Sequence, residues 1–150
     1  MGDTNILVVD DEAKVRDHFS EFLKREGFDV ETAENGEIAI ARLSQGFYDV
    51  ALIDLNMPKV DGMTVLKHLV DHHHDTVGII LTGYATIRNA VDAMKLGAYD
   101  YLAKPVKMEE VLLVVRRALE FRDLRRETWP SRSSSRTNTS SRTSSGTAPR

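Results

Sequence analysis

At 150 residues, 41% of them hydrophobic, the chain has the length and apolar content of one ordinary domain with a real core. It contains no cysteine, which excludes a disulfide framework, a thiolate metal site and a cysteine nucleophile, and is compatible with a reducing compartment. The net charge of −3 hides an asymmetry: residues 1–130 hold all 23 acidic groups against 16 basic ones, a balance of −7, while residues 131–150 hold four Arg and no acid. The acidic body argues against direct nucleic-acid binding by the folded part, and the short basic tail would touch polyanions only weakly. No apolar run approaches the ~20 residues of a transmembrane helix, and MGDTNILVVDDE lacks the basic segment followed by an apolar stretch of a secretory signal.

Strand and helix signals alternate along the body. NILVV (5–9) is predicted as strand β1. Residues 13–26 place Val15, Phe19, Phe22 and Leu23 at helical spacing, giving α1 with Gly27 as its stop. FDVETA (28–33) alternates like a strand with one wet face, β2. Residues 36–45 carry Ile38, Ala41 and Leu43 on a short helix, α2, ended by Gly46. DVALID (49–54) reads as β3, and the loop NMPKVDG after it holds the turn residues Pro58 and Gly62. Residues 63–74 form α3, with Val65, Leu66 and Leu69 inward. VGIIL (77–81) is β4. TIRNAVDAMKL (86–96) is α4, with Ile87, Ala90, Val91 and Met94 inward and Gly97 as its stop. AYDYLA (98–103) is β5, and α5 begins near Met108 with Val111, Leu112, Val115 and Leu119 on one face. Such strict alternation implies a parallel sheet with helices on both faces and right-handed crossovers.

The polar residues at the strand ends carry the chemistry. β1 runs into Asp10 and Asp11, β3 into Asp54, β4 into Thr82, and β5 into Lys104 followed by Pro105. In a parallel α/β sheet these ends gather at one edge, where ligands bind. Three carboxylates, one hydroxyl and one ammonium would then converge, a set suited to a divalent cation and a phosphoryl group. Packed together, the carboxylates repel one another, so the cluster implies cation binding. Mg²⁺ takes oxygen ligands and keeps several waters. Asp54 is the candidate nucleophile, since a carboxylate can attack a phosphoryl group to give an acyl phosphate.

In order and spacing these residues resemble the receiver domain of two-component response regulators, over roughly residues 4–122. TGYATIRNAVDAMKLGAYDYLAKP is most similar to receivers of enhancer-binding transcription activators of the nitrogen-regulation type. The resemblance implies a flavodoxin-like three-layer αβα sandwich, with a five-stranded parallel sheet of order 2-1-3-4-5 and five helices. It implies Asp54 as phosphoacceptor, Mg²⁺ held by Asp10, Asp11, Asp54 and the backbone carbonyl of Asn56, and phosphoryl contacts from Thr82, Lys104 and Gly83. It further implies a Thr82–Tyr101 switch, and a cis Lys104–Pro105 bond that aims the lysine. The implied partners are a sensor histidine kinase, a phosphorylation-dependent second copy through α4, β5 and α5, and an output domain for transcription control that is not encoded here. The implied setting is the cytoplasm, with no enzymatic activity beyond phosphoryl acceptance and self-dephosphorylation.

Blander and rival readings exist. An Asp-Asp pair after a strand is often a helix cap, and Tyr101 alone is more often a core aromatic. A haloacid dehalogenase-like phosphatase would carry DxDx at its nucleophile, whereas Leu55 and Asn56 follow Asp54. A pseudo-receiver would lack an acidic or Lys position, and none is missing. His72, His73 and His74 could bind a transition metal, but adjacent helical residues do not share a face, which favours a solvated helix end. Residues 123–130 read as a helical extension or linker. Residues 131–150, sixteen of twenty Ser, Thr or Arg, read as a disordered tail, either a vector remnant or a linker cut short.

Overall fold

The computed structural model describes residues 4–132, with side chains through Leu124. The chain divides into two compact units, Met1–Leu119 and Glu120–Arg150. The first is an alternating βα array: β1 Asn5–Val9, α1 Ala13–Arg25, β2 Asp29–Ala33, α2 Gly36–Gln45, β3 Val50–Ile53, α3 Gly62–His72, β4 Val77–Thr82, α4 Ile87–Leu96, β5 Asp100–Ala103 and α5 from Met108. All neighbouring strands are parallel and the order is β2-β1-β3-β4-β5. The flavodoxin-like expectation is met.

The three central strands are buried on both faces, which is why they read as unbroken apolar runs rather than alternating ones. Alternate side chains feed two cores. Leu7, Val9, Ala51, Ile53 and Ile80 join the core under α2, α3 and α4. Ile6, Val8, Val50, Leu52, Ile79 and Leu81 join that under α1 and α5. Phe19 and Leu23 of α1 and Val111, Val114, Val115 and Ala118 of α5 fill the second core; each fully buried valine or leucine contributes about 1.5–3 kcal/mol. Helix starts are set by side chains: Asn35 accepts from the Ile38 amide, Asp61 from Thr64 and Thr86 from Asn89. Gly27 and Gly97 take the left-handed backbone that ends α1 and α4.

Two helices sit differently from the sequence expectation. In α2 the buried residues are Gly36, Ala39 and the expected Leu43, Ile38 is half-buried, and Ala41 is exposed. In α4 the expected inward stripe faces out: Ile87 is 86% exposed, Val91 45% and Met94 47%. Ala93 is fully buried instead, flanked by half-buried Ala90 and Leu96. The helical period is right and the phase is wrong. The small-residue side allows the close approach that large residues would block, and a Cβ on Gly97 at the helix end would already lie 3.1 Å from the Val70 methyl of α3.

In the second unit the backbone is helical through Arg132, α5 being a single helix Met108–Arg132. Residues 123–130 are therefore helical, as are Ser131 and Arg132, the last described residues, where a disordered tail was expected; the remainder of that tail, 133–150, lies outside the described residues. No helix among the described residues is long and apolar enough to cross a membrane.

Candidate functional site

β1 and β3 are neighbours whose helices leave toward opposite faces, so a crevice opens past their C-terminal ends. The ladder continues beyond the strands and fixes what lines it. The Asp54 amide donates to the Val9 carbonyl at 2.9 Å, setting the acid after β3 beside the acids after β1. The Lys104 amide donates to the Thr82 carbonyl at 2.9 Å and does the same for β4 and β5. Asp10, Asp11 and Asp54 each present an oxygen within 4.8 Å of the others. Asp10 and Asp54 are buried and Asp11 is exposed. The Lys104 ammonium lies 2.6 Å from Asp10 Oδ2 and 3.8 Å from Asp54 Oδ2. Three carboxylates against one ammonium leave the cleft electronegative, and an all-oxygen donor set of this kind fits a hard divalent cation.

Burial pushes the Asp54 carboxyl above its ordinary value; the Thr82 hydroxyl and the Lys104 ammonium pull it back, the Asp10 carboxylate pushes it up again, and the Asn56 amide draws it down. Thr82 is wholly buried, and its hydroxyl accepts the Tyr84 amide at 3.1 Å. At Gly83 a Cβ would meet nothing within 4 Å. The Lys104–Pro105 bond is cis. Tyr101 is half-buried against the α4-side core, and its hydroxyl is buried without a hydrogen-bond partner among the described residues. The Asp pair is not a helix cap: Glu12 holds the N-cap position of α1, and no side chain caps that end.

Residues 6–116 match the family described as the response regulator receiver domain. The chain belongs to this family. The receiver is 38% identical to the regulatory protein AtoC of Escherichia coli strain K12 over 122 residues, which is 81% of this chain and 26% of that protein. It thus spans about a quarter of that relative. NtrX from Brucella abortus in complex with ADP superposes with a TM-score of 0.81 at 31% identity, covering 93% of this chain and 31% of that one. A response regulator protein from Burkholderia pseudomallei with a phosphorylated aspartic acid, calcium ion and citrate superposes with a TM-score of 0.73 at 33% identity, covering 81% and 72%.

The metal, phosphoryl and switch residues expected from the sequence of this receiver lie at the same sheet edge or on β5 leading to it, with Asn56 exposed in the β3–α3 loop and its amide 3.4 Å from Asp54 Oδ1, while His72, His73 and His74 lie at the far end of α3. Two further positions shape the site. A Cβ on Gly62 would fall on the Asp54 carbonyl oxygen and lie 2.7 Å from the Leu55 Cα, so only glycine lets α3 start against the acid's own backbone. Arg16 donates to the Asp10 carbonyl at 2.8 Å and ties the β1 end to α1. Gly62 carried a turn signal but no sign of that contact, and nothing in the sequence marked Arg16.

Proposed function

We propose that this receiver is a phosphorylation-controlled switch in which Asp54 takes a phosphoryl group from a phosphohistidine of a sensor histidine kinase. The observation that carries this reading is the placement of Asp54, buried among Asp10, Thr82 and Lys104 at the sheet edge. An Asp54 carboxylate oxygen forms the new P–O bond as the P–N bond to the kinase imidazole breaks. The raised proton affinity of Asp54 makes its carboxylate a better nucleophile. Asp10, Asp11, Asp54 and the Asn56 carbonyl would hold Mg²⁺, whose charge would offset the repulsion between carboxylate and phosphoryl. The calcium ion and phosphorylated aspartic acid of the Burkholderia pseudomallei protein support that pairing of chemistries.

Lys104, already 3.8 Å from Asp54, is placed to pair with one phosphoryl oxygen. The Thr82 hydroxyl is placed to bond another, with the open space at Gly83 beside it. Movement of Thr82 would be followed by Tyr101, whose hydroxyl gains by leaving its unpartnered position. The readout is the surface of α4, β5 and α5. Slow hydrolysis of the acyl phosphate is the only turnover assigned. An apolar recess lined by Val15, Phe19, Pro105, Val106 and Met108 opens next to Lys104 and suits a docking helix of the kinase. We read 4–122 as the switch and 123–130 as the start of a linker to a transcription-regulating output domain or partner. The setting is the cytoplasm, where kinases draw on ATP.

Incubation with acetyl phosphate and Mg²⁺, followed by intact mass measurement, should show one added phosphoryl. Asp54→Ala should remove it, and persistence of the label in that variant would overturn the assignment.

A further inference from the structure

Four of the five histidines fall within residues 68–74, at the end of α3 opposite the phosphoryl site. Eleven helical residues separate that end from the Asp54 loop, roughly 16 Å at the α-helical rise. His68 and His72 stand one turn apart on one face of α3, their ring centroids 4.8 Å apart. His73 ends the helix, its amide donating to the Leu69 carbonyl at 2.8 Å, and its ring turns back to 5.1 Å from that of His68. The His68 and His73 Nε2 atoms approach to 3.3 Å. Both residues are partly exposed.

We propose that His68, His73 and His72 form a site for a divalent transition-metal ion of the zinc class at the C-terminal end of α3. Two imidazole nitrogens about 2.0–2.1 Å from a tetrahedral zinc ion stand roughly 3.3 Å apart, which is the separation observed. In the metal-free chain the same separation is a long N–H···N hydrogen bond between the two rings, which holds both Nε2 atoms toward one point. The i, i+4 pair is the helical spacing that places two imidazoles on one ion, and His72 supplies the third ring by side-chain rotation. Burial lowers the proton affinity of His68, with His72 adding repulsion; burial and the neighbouring His68, His72 and His74 do the same to His73. Both rings are thereby biased toward the neutral form that ligates metal. The carbonyl end of a helix favours positive charge. The Asp71 carboxylate adds to that field, while its 2.9 Å pair with Lys67 balances the lysine's charge. His68 was not associated with the histidine run from sequence, because the helix end that brings His73 back onto it is a matter of backbone geometry.

The ion would clamp the end of α3 to the turn before β4, where the Thr76 amide donates to the His73 carbonyl. The test is a Zn²⁺ titration of the full chain at pH 7.5 with millimolar Mg²⁺ present to occupy the carboxylate cleft. Calorimetry should give one Zn²⁺ per chain, and the ring resonances of His68, His72 and His73 should shift together while that of His18 stays. The double variant His68→Gln/His73→Gln should bind Zn²⁺ at least tenfold more weakly and lose the Zn²⁺-dependent rise in melting temperature. His72→Ala, at an exposed position, should weaken binding several-fold. Acceptance of phosphoryl at Asp54 reports that each variant is folded. Absence of binding to the parent chain, or undiminished binding in the double variant, would overturn the site.

Discussion

Asp54 is held where its chemistry conflicts with its solvation. Burial raises the proton affinity of its carboxyl above the ordinary 3.8. A group so raised is harder to ionise in the folded chain than in the unfolded one, so ionisation subtracts stability. The subtraction is absent below 3.8, grows as pH rises through the interval up to the folded value, and is complete above it. Asp54→Asn should therefore melt a few degrees higher than the parent at pH 7 in a divalent-free buffer, and the advantage should fade as pH falls toward 3.8. An equal advantage at both pH values would show that the charge is not its source. Tyr101 stores a conflict of another kind. A buried hydroxyl without a partner costs about 1–3 kcal/mol. Tyr101→Phe should raise the urea midpoint by the equivalent of on the order of 1 kcal/mol, and it should blunt any change at the α4–β5–α5 surface when Asp54 is occupied. Asp54 could be read from a strand end in the sequence, because it follows the apolar run VALI, whereas Tyr101 lies within β5 and was marked only by the family resemblance. Their energetics could not, since the lack of a partner for the Tyr101 hydroxyl among the described residues and the 2.6 Å pairing of Lys104 with Asp10 depend on packing between segments far apart in the chain.

At the scale of elements, strands were the most legible, because a sheet buried on both faces leaves uninterrupted runs such as VALI and VGIIL. Helix α4 was misread in phase because it carries two apolar stripes, and backbone proximity selected the one built on Ala93. The β3–α3 loop was legible only as a turn. Its geometry rests on Lys59 at φ 67° and on two glycines whose missing side chains admit neighbours: Gly36 against Val60, and Gly62 against Asp54. Gly62→Ala must push the loop off α3 or α3 off the loop. Overpacking of that order costs roughly 1–3 kcal/mol, and displacing a reacting group by an ångström can cost about a hundredfold in rate. The variant should stay folded with a lowered melting temperature and accept phosphoryl from acetyl phosphate at least tenfold more slowly. Gly83→Ala, with open space around its Cβ, is the control and should leave the melting temperature unchanged.

For the first compact unit as a whole, the surface around β5 has the properties of a conditional interface. β5 is an edge strand, only half-buried along most of its length, and edge strands offer unpaired backbone groups. Beside it α4 exposes Ile87, Val91 and Met94 in a stripe, with Arg88, Asp92 and Lys95 around them. On α5, Leu113 is 47% exposed and Arg116 and Arg117 are also exposed. Charges of both signs around apolar residues suit pairing of identical faces across a two-fold axis. Exposed ion pairs contribute at most about 1 kcal/mol each, so in such a pairing the apolar stripe would supply the strength and the charges the register. Beryllofluoride with Mg²⁺ should shift the parent chain toward dimer in sedimentation velocity. Burying one such side chain is worth about 1.5–3 kcal/mol, and about 1.4 kcal/mol is a factor of ten in affinity. Ile87→Asp should accordingly weaken that dimer roughly tenfold or more. Because Ile87 is 86% exposed in the unit, the same change should leave the melting temperature of the unliganded chain within a few degrees of the parent. A chain with verified beryllofluoride at Asp54 and unchanged sedimentation would rule out self-pairing and leave a different protein as the occupant of this face.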